Sequence, residues 1–159
     1  MDTLLRHPGR TCAPLADHLQ AHKEMILASW LKEAAADPIV PSEALSRIDL
    51  LDHVPQMFDA MVYALRKHCS EAAMEEVQDI ASRHTIIRWV QQYDPKGVLR
   101  EVSFLRREFI RYLDLFDQDN PGASSDARVF NALTVHGILD DIVMEATTTF
   151  LALKTRDQT

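Results

Sequence analysis

Apolar residues recur along most of this chain with the 3.6-residue period of a helix that buries one stripe, and no segment alternates apolar and polar residues for long. From Pro14, which suits a helix start, Leu15, Leu19, His22, Ile26 and Trp30 mark one face of a first long helix. It ends near Ala36, ahead of Asp37-Pro38. Ser42 is the expected cap of a short helix around Ala44 to Ile48. Leu51 to Cys69 reads as the next helix, with Val54, Phe58, Met61, Val62 and Leu65 inward, Pro55 in the first turn and Asp49 or Asp52 as cap. The acidic run after Ser70 reads either as a loop or as the first turn of the helix that carries Val77, Ile80, His84 and Ile87.

Asp94 and Pro95 then mark a corner and a new start, followed by Val98, Val102, Leu105, Phe109, Tyr112, Leu113 and Phe116 on one stripe. Glu101 and Glu108, seven apart, run along its edge. Asn120-Pro121-Gly122 is the clearest loop. Ser125 or Asp126 is expected to cap a last helix running to about Lys154. In that helix Val135, Leu139, Ile142, Ala146, Phe150 and Leu153 form one stripe, widened by Phe130, Leu133, Met144 and Leu151. So broad an apolar front needs cover on more than one side. The pattern therefore predicts one all-α domain over residues 14–155 behind a loose arm at residues 1–13.

The order His84-x-x-x-Arg88, Tyr93, Leu99-Arg100-Glu101, Leu105-Arg106 resembles the N-terminal domain family of RsbT co-antagonist (RsbRD-type) proteins. That domain also stands at the front of bacterial sensor histidine kinases. Ile26-Leu27-x-x-Trp30 and Leu51-Asp52-His53-Val54-Pro55 fit the same likeness, which spans roughly Leu15 to Leu153. The resemblance implies a globin-like helical bundle of about five or six helices without a cofactor, working as a non-enzymatic sensory input domain. Its partners would be a second copy of itself and a downstream histidine kinase or antagonist domain. The chain departs from the family in Thr85, where a small residue such as Gly is expected after His84.

Composition narrows the alternatives. The chain has 159 residues, a net charge of −7 and a pI near 5.4, which argues against a nucleic-acid partner because phosphate binding needs a basic face. Arg100, Arg106, Arg107 and Arg111 are a local exception, read as a solvated face paired with acids. Cys12 and Cys69 have no metal-knuckle or redox spacing, which suits a reducing cytoplasm. No apolar run is long enough for a signal peptide or a membrane span.

Candidate chemistry is sparse. His18 and His22 stand four apart, a spacing that ligates metals, but companion ligands are missing. His136 and Asp140 are read as solvated charge, and the Glu-x-x-His pairs of a bundle di-metal site are absent. Phosphate loops and nucleophile motifs are absent too. Because the implied class is globin-like, His84 is the candidate ligand of a haem, with Trp89, Tyr93 and Phe104 as lining; Arg88, one turn away, would push charge toward the porphyrin.

The preferred reading joins His84, Arg88, Glu101 and Glu108 in a polar cluster across the Asp94-Pro95 corner, as a structural joint or a switch, since an Arg near an apolar stripe needs a carboxylate. A homodimer through Val135, Leu139, Ile142, Ala146, Phe150 and Leu153 would set two C-termini side by side.

Overall fold

The computed structural model describes residues 10–41 and 45–158, which form seven helical segments and no strand. These are α1 (Ala13–Ala21), α2 (Lys23–Ala36), α3 (Arg47–Leu51), α4 (Val54–Arg66), α5 (Glu71–Val90), α6 (Pro95–Asp119) and α7 (Ser125–Arg156). The protein is an all-α helical bundle. Counted with α1 and α2 as one interrupted helix, the described residues give six members. None of the described helices is long and apolar enough to cross a membrane.

The expected first helix is broken at His22. There the backbone N–H turns back to Leu19 O at 3.1 Å instead of closing an α-helical bond to His18. The ring Nδ1 of His22 donates to the abandoned His18 carbonyl at 2.8 Å, so a side chain competes with the helix and wins. A second correction concerns the short helix. Ser46 caps it by accepting from Asp49 N at 3.1 Å, and Leu51 belongs to α3, not to the helix after it; Ser42 lies outside the described residues. Neither Asp49 nor Asp52 caps α4, whose N-cap position is His53.

The acidic run after Ser70 is helix, the first turn of α5. Asp94 caps α6 through Oδ1, which accepts from Gly97 N at 2.9 Å. Ser124, one residue before the expected pair, caps α7 by accepting from Ala127 N at 3.2 Å. The expected arm ends in packed structure: Cys12 is buried and its thiol donates to Asn131 Oδ1 on α7 at 3.3 Å.

Packing places α7 at the centre. It lies chiefly against α5 and α6, while α4 packs on α5 and α1, and α2 packs on α6. The consequence is a correction to the dimer face. Val135, Leu139, Ile142, Ala146 and Phe150 are buried within the chain itself and Leu153 is half-buried. They are core, because α5 and α6 flank the helix together and cover that stripe. Phe130 is buried as well. What stays open on α7 is Val129, Leu133, Met144 and Leu151, each at least 50% exposed.

Candidate functional site

The buried face of α5 begins apolar with Ala73, Met74, Val77 and Ala81 and ends polar with His84, Thr85 and Arg88. Thr85 is accommodated by its own helix, its hydroxyl donating to Ala81 O at 2.8 Å. The other two face α6. His84 Nε2 donates to Glu101 Oε2 at 2.8 Å, and Arg88 Nε donates to the same oxygen at 3.0 Å. All three side chains are 2% exposed or less.

The short connection between α5 and α6 completes the arrangement. After Gln91 the chain turns left-handed at Gln92, with φ of 66°, and Tyr93 N returns to Arg88 O at 2.9 Å while Gln92 N returns to Trp89 O at 2.9 Å. This is a Schellman stop. It folds Tyr93 back over Arg88, whose guanidinium carbon lies 5.1 Å from the ring centroid. Tyr93 then donates its hydroxyl to Glu101 Oε1 at 3.0 Å. Gly97 makes room for that ring, since a Cβ there would stand 3.0 Å from Tyr93 Cδ2.

Arg88 reaches a third element. Its Nη1 donates to Asp49 O at 3.0 Å and to Gln91 Oε1 at 2.7 Å, and its Nη2 donates to Leu50 O. These are carbonyls from the end of α3, which a five-residue helix cannot satisfy internally. A fourth element joins through Trp30 of α2, whose indole Nε1 donates to the Glu101 backbone carbonyl at 2.9 Å. The ion pair thus ties α3, α5 and α6 together, and Trp30 fastens α2 to the main chain at Glu101.

Burial pushes the Glu101 carboxyl up, but the hydrogen bonds and charges of His84 and Arg88 outweigh it and hold it below the usual carboxylate range. Burial, helped by the Glu101 charge, moves the Tyr93 phenol well above its ordinary value, so it stays a donor. His84 Nδ1 is buried without a hydrogen-bond partner, so the ring is held through Nε2 and Glu101.

Glu108 does not belong to this cluster. It is buried two turns further along α6, where Oε1 accepts from Ser29 Oγ at 2.8 Å and Oε2 has only Arg111 at 3.9 Å. The haem reading meets an obstacle at the same place. Iron on His84 Nε2 would have to break the bond to Glu101, and the expected lining aromatics are engaged separately, Tyr93 on Glu101, Trp89 on Phe150 and Phe104 beneath Arg100 and Arg107.

The remaining candidates resolve into packing. The His18 and His22 rings lie tilted against each other at 4.5 Å and against Tyr112, with Phe116 beside His18; no cluster of three metal-ligating side chains occurs among the described residues. The arginines of α6 are paired: Arg100 with Asp37, Arg107 with Glu33, and Arg106 with Asp140 at 2.6 Å. Arg106 also bonds His136 Nδ1 at 2.9 Å, so His136 and Asp140 form an interhelical contact and are not merely solvated charge.

The sequence places Trp30 on a buried helix face without linking it to this cluster, and gives no sign of Gln91 or the α3 carbonyls. A buried indole N–H always wants an acceptor, and that was the one signal available. No family model matches this chain, and no curated protein or solved structure matches it either.

Proposed function

We propose that the chain is a non-enzymatic sensory input domain of the RsbRD N-terminal type, which forms a homodimer and regulates a histidine kinase or antagonist domain. One observation carries the reading: four of the residues on which the resemblance rests, His84, Arg88, Tyr93 and Glu101, meet in one buried cluster. Scattered matches on helix faces would not converge in this way. The cluster holds the α5–α6 corner against α2 and α3, and α6 packs on the long α7, so a shift at the corner is passed to α7. The globin-like packing and the cytoplasmic setting belong to the same proposal.

The test uses the full coding region. A kinase or antagonist domain encoded in frame beyond Thr159, or bound in trans, should change its phosphorylation state when residues 14–155 are deleted. Output that does not respond to the deletion overturns the regulatory role. An absorption spectrum of the purified protein without a Soret band is expected; a strong band would favour a haem sensor instead.

A further inference from the structure

The exposed side of α7 is patterned along its whole length. Asp126, Val129, Leu133, His136, Asp140, Met144, Thr147, Leu151 and Lys154 share one side of the helix, at steps of three and four residues. From Asp140 those steps read the same in both directions: four, three, four, three. Val129, Leu133, Met144 and Leu151 on this side are 57%, 50%, 67% and 59% exposed. From Val129 to Leu151 the stripe runs about 33 Å at the rise of an α-helix.

We infer that α7 pairs with α7 of a second copy in the antiparallel sense, about a twofold axis at Asp140. This rests on the homodimer proposed above and names its surface. In that register Val129 faces Leu151 of the partner subunit, Leu133 faces Thr147 of the partner subunit, and His136 faces Met144 of the partner subunit. A shallow apolar notch of about 60 Å³ lies beside Leu151 and Thr147, lined also by Pro95, Val98 and Leu99, and receives the valine.

Charge selects the direction. Antiparallel pairing sets Asp126 against Lys154 of the partner subunit at both ends of the seam. Lys154 has no ion-pair partner among the described residues, and the Asp126 carboxylate is 80% exposed even with Arg10 at 3.3 Å. A parallel, in-register pair would instead oppose Lys154 to Lys154 and Asp126 to Asp126. At the axis the two Asp140 carboxylates approach, but each carries its own Arg106 at 2.6 Å, which makes a neutral group of four charges. The two α7 C-termini then leave at opposite ends, so a signal passes through the α6–α7 contact of each copy and not through adjacent C-termini.

Light scattering combined with cysteine cross-linking tests the arrangement. Wild-type protein should be dimeric at micromolar concentration. Val129→Cys and Leu151→Cys are made separately at exposed positions, and an oxidised mixture of the two should give the mixed disulfide, against a parental control that carries only Cys12 and Cys69. Lys154→Glu should weaken the dimer about tenfold, and adding Asp126→Lys should restore it. A dimer in which Val129→Cys or Leu151→Cys cross-links only to itself, or to neither, overturns the antiparallel seam and leaves the homodimer standing. A monomer overturns both.

Discussion

Arg88 and Glu101 form an ion pair at 3.0 Å across the α5–α6 corner with essentially no exposure of either side chain. Such a pair gains its worth from completeness, since desolvation of two charges is offset only when their remaining donors and acceptors are also satisfied. Here the guanidinium has Gln91 and the Asp49 and Leu50 carbonyls, and the carboxylate has His84 and Tyr93.

Removing one partner should therefore be costly. Arg88→Ala leaves Glu101 charged and buried and abandons two α3 carbonyls, so a loss of about 3–5 kcal/mol is expected in urea unfolding. Arg88→Lys should recover only a small part, because an ammonium cannot reproduce the fork geometry. A midpoint unchanged by Arg88→Ala would show that the pair contributes nothing to stability.

The depressed carboxyl of Glu101 sets a pH dependence. A group whose folded pKa lies below its unfolded value contributes stability that is complete above the unfolded value, about 4.3, and is lost as pH falls through the folded one. Wild-type stability should fall over that acid range. Glu101→Gln should be less stable at pH 7 and should have a flatter acid limb; parallel acid limbs would mean that other carboxylates govern acid unfolding.

Two backbone positions near Tyr93 have opposite expected signs. Gln92 holds a left-handed conformation that favours glycine, so Gln92→Gly should raise stability by up to about 1 kcal/mol. Gly97→Ala gains helix propensity of similar size, yet its new methyl meets a Tyr93 ring that Glu101 holds in place, and overpacking of about 1–3 kcal/mol should leave it net destabilised. Thermal melts of the two single variants separate the signs.

The buried stripe of α7 can be told apart from its open side by truncation. Leu139→Ala should cost about 2–5 kcal/mol of unfolding free energy, as a cavity in a packed core does. Met144→Ala, on the exposed side, should leave the unfolding of the monomer within about 0.5 kcal/mol of wild type. Equal effects from both would place the two residues in similar surroundings, contrary to their burial.

Periodicity and local chemistry determined much of this molecule from the sequence alone. A 3.6-residue repeat specifies which side of a helix turns inward, so the buried faces of α4 and α6 and the all-α class followed from side-chain order, as did the Asp94 start of α6. Caps shifted by one to four residues where several serines and aspartates competed. Periodicity specifies direction around an axis and not what stands opposite. Glu101 and Glu108 share a face, yet about 10.5 Å of helix separates them, and only the placement of α5 gave Arg88 to the first and left Ser29 to the second. The carbonyls at the end of α3 carry no side-chain signal at all, so their capture by Arg88 was invisible before folding. For α7 the sequence showed a front too broad for one neighbour. Tertiary packing decided which half became core, because α5 and α6 both close on the Leu139 side and leave Met144 in the open.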